Sequence, residues 1–278
     1  MATNSVHTNA AAAIALQNLT TTNNRLEQTQ GRISTGLKVQ GAKDNASIWA
    51  IAQKQRADTS ALNAVKSSLD RATSIADVAL AAGESVSDLL NQLKEKVSLA
   101  QDESLSTQSR ELLNEDFQAI LRAISSQIET AEFDGGNILN GSISSGISFL
   151  ANADATQTIT LTGQNLSLGG SIITLSLSDS IDTLSGAAQA LSALNASIAQ
   201  VNSALGAIGS QAKQIDAHTT FVSKLMDTLE TGVGNLVDAD LARESARLQA
   251  LQVQQQLGAQ ALSIANQSPQ IILSLFQG

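Results

Sequence analysis

No cysteine and no tyrosine occur in this 278-residue chain, and proline and tryptophan occur once each. Without cysteine there can be no disulfide, no thiolate catalysis and no Cys-based metal site. Aromatic residues make up only 2% of the chain although hydrophobic residues reach 42%, so Ala, Leu, Ile and Val supply nearly all the apolar surface. Thick globular cores draw on Phe, Tyr and Trp for buried area; this composition instead favours thin helix-on-helix interfaces where small and aliphatic side chains interdigitate. Basic residues are outnumbered, 16 against 25 acidic, leaving a formal charge of −9. Phosphate-backbone binding needs clustered Lys and Arg to displace counterions, so no nucleic-acid partner is expected. There is no run of 18 apolar residues, and the first Lys or Arg is Arg25. The chain is therefore expected neither to span a membrane nor to carry a Sec-type leader.

Catalytic signatures are missing as well. His7 and His218 have no ligand-type neighbours at metal spacing and read as polar helix-surface residues. No phosphate-binding loop, H-E-x-x-H or G-x-S-x-G is present, and Gly232-Val233-Gly234 lacks the third glycine and preceding strand of a dinucleotide fingerprint. Those glycines are expected to break a helix. Asp238 and Asp240, at the start of a helical pattern, read as caps that complement the helix dipole. Trp49 reads as packing within the chain. No enzyme, cofactor or metal is expected.

What the chain does contain is seams. After the capping residues Asp44-Asn45-Ala46-Ser47, Ile48 and Ile51 open a pattern that becomes Leu62, Val65, Leu69, Ala72, Ala76, Ala79, Gly83, Val86, Leu90, Leu93, Val97 and Ala100. From Leu62 the spacing alternates 3 and 4 without a break, which predicts a coiled-coil helix over about 45–101, on the order of 85 Å long. Ser104 to Thr107 reads as a break and cap, and Leu113, Phe117, Ile120, Ile124 and Ile128 mark a shorter helix ending before Phe133-Asp134-Gly135-Gly136-Asn137. Residues 142–178 turn to Ser, Thr, Gly and Asn with alternating stretches at Thr158–Thr162 and Ile173–Leu177, which predict short strands in hairpins. A second long seam follows: Leu191, Leu194, Ile198, Val201, Leu205, Ile208, Ala212, Ile215, Thr219, Val222, Met226 and Leu229.

The two long helices bracket the middle segment, so they can pair only if the chain goes out and returns. The fold expected is mainly α: a long antiparallel coiled-coil rod with a small β-hairpin-rich insert at its far end and both termini at the other. Residues 1–40 and 236–278 form terminal helices, 41–141 and 179–235 the two halves of the rod, and 142–178 the insert. The terminal strips are thin: Leu19, Leu26 and Ile33 at the start, and Leu241, Leu248, Leu251 and Leu262 near the end. Alone, either is too poor in apolar area to offset an ordering cost of roughly 1–2 kcal/mol per residue, so each needs a partner to fold. A rod with sticky strips at one end makes contacts that do not close on themselves, and such contacts generate a helical polymer.

Particular residues then carry a family resemblance. Arg32-Ile33-Ser34-Thr35-Gly36-Leu37-Lys38-Val39, Ala42-Lys43-Asp44-Asn45-Ala46 and Ala50-Ile51-Ala52 resemble the N-terminal signature of bacterial flagellins. Gln254-Gln255-Gln256-Leu257-Gly258, Ala265-Asn266-Gln267-Ser268-Pro269-Gln270 and Leu273-Ser274-Leu275 resemble the C-terminal one, with the single proline in the family's usual place. Similarity covers about residues 14–140 and 184–276.

The resemblance implies an extracellular subunit of the flagellar filament, exported unfolded through the flagellar type III apparatus with an export chaperone. It also implies a homopolymer that meets cap and hook-junction proteins. Its polymerisation interface would comprise Leu19, Leu26, Ile33, Leu241, Leu248, Leu251, Leu262, Ile271 and Leu275 of the inner-tube helices. A hook-filament junction protein and a coiled-coil adaptor module are the alternatives. Flagellins detected by the vertebrate innate receptor carry an arginine-rich stretch on the first long helix. The matching segment here includes Leu90, Gln92, Lys94, Glu95 and Lys96, with Gln92 where Arg is expected and Lys96 where Leu is expected, which implies weak receptor activation. The insert of about 37 residues leaves no room for a large outer domain, so a smooth filament is expected.

Overall fold

A computed structural model describes residues 8–276, with side chains described through Gln267. His7 lies outside the described residues. Among the described residues, five helices and one small sheet follow in order: α1 (Ala10–Thr35), α2 (Ala46–Ala100), α3 (Thr107–Thr130), β1 (Ile147–Leu150), β2 (Thr158–Leu161), α4 (Leu184–Val237) and α5 (Leu241–Phe276). The chain divides into two compact units, one formed by residues 1–57 with 228–278 and the other by 58–227. Among the described residues no helix is long and apolar enough to cross a membrane.

Helix boundaries follow local chemistry. Asn9 Oδ1 accepts from the Ala12 amide at the start of α1, and Gly36 ends that helix in the left-handed region at φ 73°, its N–H reaching the Arg32 carbonyl. The Asn45 side chain accepts from Ile48 N at the start of α2. Ser106 caps α3 as expected, while Arg110 donates back to the Ala100 and Asp102 carbonyls, satisfying orphan acceptors at the end of α2. Asp240 Oδ1 accepts from Arg243 N and caps α5. Asp238 does not cap: its backbone pairs with Leu37 in an isolated bridge.

In the unit of residues 58–227, all twelve seam positions from Leu62 to Ala100 are buried. Thr73 reaches Asp216, Ser87 reaches Asn202, and Gln101 donates to the Ala187 carbonyl, so α4 runs antiparallel to α2 in steady register. At Gly83 a Cβ would collide with the Leu205 side chain, so glycine makes room for that leucine. On α4 the inner line shifts toward small residues. Leu194, Val201, Ile208, Ala212, Ile215 and Val222 are buried, joined by Ala187, Ala190, Ser197 and Ala204, whereas Leu191, Ile198, Leu205, Thr219 and Met226 are half-buried. On α3, Phe117, Leu121, Ile124 and Ile128 are buried and Ile120 is only half so. Ser180 Oγ and Ile181 N converge on Asn114 Oδ1, and Gln118 donates to the Asp179 carbonyl, which ties α3 to the entry of α4.

One hairpin forms, β1 antiparallel to β2 with Ile147 opposite Leu161 and Phe149 opposite Ile159. Expected strand Ile173–Leu177 is not a strand. Ile173 and Leu175 are buried there, Thr174 N donates to Ser197 Oγ, and Gly169 N takes the Leu175 carbonyl, so side chains on α4 and a local turn satisfy the backbone instead of a partner strand. Leu150 N donates to Ser68 Oγ, and Thr162 N to Gln211 Oε1. His218 Nε2 lies 2.7 Å from the Ala151 carbonyl; that oxygen only accepts, so Nε2 carries the proton. Buried Asn137 uses both ends of its amide, donating to the Ile128 carbonyl and accepting from Leu139 N, which closes the exit from α3.

In the other unit, α4 continues through Gly232 and Gly234 to Val237, contrary to the expected break. Burial outweighs the helix penalty of about 1 kcal/mol per glycine. Val233 and Val237 pack with Val39 and Ala52, and half-buried Leu37, Ile48, Trp49 and Leu236 cover the cluster. Trp49 is thus intramolecular packing. The loop after α1 is fixed to the end of α4 by Lys38 N to the Val237 carbonyl at 2.6 Å and by Ala239 N to the Gly36 carbonyl at 2.8 Å.

Candidate polymerisation surfaces

Helices α1 and α5 pack against one another and run antiparallel. Asn9 Nδ2 donates to the Ala265 carbonyl at 2.7 Å, Gln255 donates to Asn23 at 2.8 Å, and Arg32 meets Glu244 at 3.1 Å, so numbers rise along one helix as they fall along the other. Facing positions on α1 are Ala12, Ala15, Leu19, Thr22, Leu26, Thr29 and Ile33, and on α5 Glu244, Leu248, Leu251, Gln255, Gly258, Leu262 and Ala265. Both sets alternate 3 and 4, the comb of a coiled coil. Gly258 allows the approach, since a side chain there would press on Leu19.

Six of the nine expected interface residues therefore lie in the seam inside one chain: Leu19, Leu26, Ile33, Leu248, Leu251 and Leu262. Leu251 is buried and the other five are half-buried. Leu241 stands apart and is 49% exposed. Ile271 and Leu275 fall within α5, and their side chains lie outside the described ones.

Sequence reading missed a second stripe. Val253, Leu257 and Ile264 are 55%, 58% and 69% exposed, and with exposed Ala246, Ala250 and Gln260 they repeat the 3–4 spacing. At about 100° per residue this comb sits on the side of α5 opposite the one that holds α1. On α1, Ile14 and Leu16 are 60% and 54% exposed on the flanks of its seam. No charged residue follows Arg247 and none precedes Arg25, so the outer stripe from Ala250 to Ile264 carries no charge, and Gln260 is its one polar member. A helix apolar on two opposite faces is built to be covered on both. The signal was legible in sequence, because Val253, Leu257 and Ile264 are spaced four and seven apart.

On the receptor-like segment, Leu90 is buried in the α2 seam, while Gln92, Lys94 and Glu95 are exposed. Lys96 Nζ meets Asp116 Oδ2 at 2.7 Å, and this hydrogen bond with its charge attraction raises the ammonium above its usual pKa. Among the described residues no group of three or more His, Asp or Glu could hold a metal ion.

Paired terminal helices with exposed aliphatic side chains on α5 make a helical protein that leaves apolar surface uncovered in the single chain. The family model for the bacterial flagellin N-terminal helical region matches residues 6–144, and that for the C-terminal helical region matches residues 191–276. The chain is 55% identical to flagellin FljJ of Caulobacter vibrioides over 99% of both chains, and 39% identical to a flagellin of Brucella melitensis, also over 99% of both. A solved structure from Vibrio parahaemolyticus, assigned as a flagellar hook-associated protein, superposes with a TM-score of 0.59 at 13% identity, covering 70% of this chain and all of that one. That likeness shows a shared fold alone. The chain belongs to the bacterial flagellin family, the structural subunits of the extracellular flagellar filament.

Proposed function

We propose that this subunit polymerises through the outer stripe of α5, with the α1–α5 seam holding that stripe in place. Leu19, Leu26, Ile33, Leu248, Leu251 and Leu262 then act indirectly: they keep the two terminal helices paired so that Val253, Leu257 and Ile264 are presented to a neighbouring copy. Ile271 and Leu275 extend the same helix and belong to the same inner-tube contact. The single observation that carries this reading is the exposure of three large aliphatic side chains in one uncharged 3–4 comb. Covering three such residues contributes roughly 1.5–3 kcal/mol each, enough to matter at every subunit addition.

The chain is a structural protein, and in this reading it has no catalytic role. It reaches the filament tip unfolded through the flagellar type III apparatus, with an export chaperone before transit and cap and hook-junction proteins as neighbours afterwards. Freedom from disulfides and a single proline suit that route, since slow disulfide and prolyl steps are few on refolding. The segment from Leu90 to Lys96 is a degenerate form of the innate-receptor stretch.

The test is negative-stain electron microscopy after adding sulfate, which strengthens apolar burial. The unaltered chain should form long uniform filaments. A Leu257→Asp, Ile264→Asp double variant should stay monomeric while keeping its helical circular dichroism. Filaments of normal length from that variant would sink the assignment.

A further inference from the structure

Charge is divided unequally between the two units. Residues 58–227 carry 8 Lys and Arg against 19 Asp and Glu, a net −11, whereas residues 1–57 with 228–278 carry 8 against 6, a net +2. Within the acidic unit, the end of α2, the turn and the start of α3 enclose a groove of about 400 Å3. Leu99, Leu105, Leu112 and Leu113 line it together with Ser109, Asp102, Glu115 and Asp116; Asp116 is already paired with Lys96, and among the described residues no ion pair engages Asp102 or Glu115. Leu99 and Leu112 are 51% and 60% exposed, so the leucines are uncovered in the single chain. Exposed leucines beside two carboxylates outside any ion pair fit an aliphatic side chain flanked by cations.

The other unit supplies such a segment. Ile51 is 50% exposed on the first turns of α2, Lys54 lies on the same helix face three residues on, and Arg56 follows; both cations are exposed. No acidic residue falls between Asp44 and Asp58, and no ion pair among the described residues engages Lys54 or Arg56. We propose that the groove between α2 and α3 receives the Ile51–Arg56 stretch of a second copy of this chain. Since knob and groove are different surfaces, the contact is heterologous and open-ended, and each copy offers one of each. It rests on the reading that copies of the chain polymerise, and adds a second contact made by residues other than those of the α5 stripe. Complementary charge also sets direction, because groove against groove would bring acidic rims together.

Reciprocal charge reversal in the full chain tests the contact. One variant carries Glu115→Lys, the other Lys54→Glu with Arg56→Glu. Alone, each should need roughly tenfold more protein to form filaments in sulfate, as expected for lost charge complementarity. Mixed in equal amounts they should recover, because each then finds its opposite on the other variant. A Lys66→Glu, Lys213→Glu control makes the same change in net charge as the second variant and should polymerise like the unaltered chain. The proposal is overturned if the single variants polymerise normally, if mixing fails to restore assembly, or if the control is impaired as severely. Failure of the α5 stripe reading would show differently, as normal filaments from the Leu257→Asp, Ile264→Asp chain.

Discussion

Glu244 and Arg32 meet at 3.1 Å across 212 positions of sequence and join α5 to α1 where the carboxylate is almost wholly buried. The contact is one-armed: Arg32 Nε and Glu244 Oε2 are both buried and find no partner. Removing one member strands the other charge, which costs about 3 kcal/mol for a buried pair. Glu244→Ala should therefore lower hydrogen-exchange protection along α1 by about that amount, and adding Arg32→Ala should return part of it. Unchanged protection in the single variant would show that the pair contributes nothing.

Two glycines should respond differently to alanine. At Gly163 a Cβ would collide with the Ile143 backbone carbonyl, which cannot swing aside, so Gly163→Ala should lose about 1–3 kcal/mol. At Gly83 the obstacle is the tip of the Leu205 side chain, and the gain in helix propensity of about 1 kcal/mol offsets its displacement. Thermal denaturation of the two variants should show a fall for Gly163→Ala and little change for Gly83→Ala; the reverse order would contradict this packing.

The turn between α2 and α3 should loosen in acid. Asp102 Oδ1 accepts from Ser104 Oγ at 2.7 Å and from Ser104 N at 2.9 Å, and these bonds hold its carboxyl below the ordinary value of 3.8. A depressed carboxylate contributes stability that is full above that value and disappears as pH falls through the folded one. Ser104→Ala should move the Asp102 titration back up toward 3.8, followed by NMR of the carboxyl carbon. No movement would remove Ser104 as the cause.

Receptor activation should be weak. Gln92 is uncharged, and Lys96 is hydrogen-bonded to Asp116 at 2.7 Å. A reporter-cell assay should find potency well below a strong agonist, and Gln92→Arg with Lys96→Leu should raise it. Potency equal to a strong agonist in the unaltered chain would refute the reading.

From Leu62 to Ala100 the first long helix was legible residue by residue, because its seam keeps one period over twelve positions, each of them buried; Ile51, expected to open that seam, is 50% exposed and Ala52 is buried in its stead. Its partner was legible in half of its seam, where Leu194, Val201, Ile208, Ala212, Ile215 and Val222 are buried as expected. Its inner line uses Ala190, Ser197 and Ala204, small residues that a search for large apolar side chains passes over and that close packing prefers. Gly232 and Gly234 misled for a related reason, since propensity is a weak prior against the burial of Val233 and Val237. Strand assignment failed at Ile173–Leu177 because alternation records burial on one side and not the presence of a neighbouring strand. At the candidate surface, the spacing marks Leu248, Leu251 and Leu262 as an apolar strip on α5. What sequence spacing alone could not give is that α1 of the same chain already covers them.

The absence of cysteine makes the central claim directly measurable, because a single Leu257→Cys substitution creates the only thiol. Its maleimide labelling rate should be fast in the monomer and at least about tenfold slower in sulfate-grown filaments, as burial limits thiol access. Equal rates in monomer and filament would mean that no neighbouring subunit covers the outer face of α5, and would contradict the account.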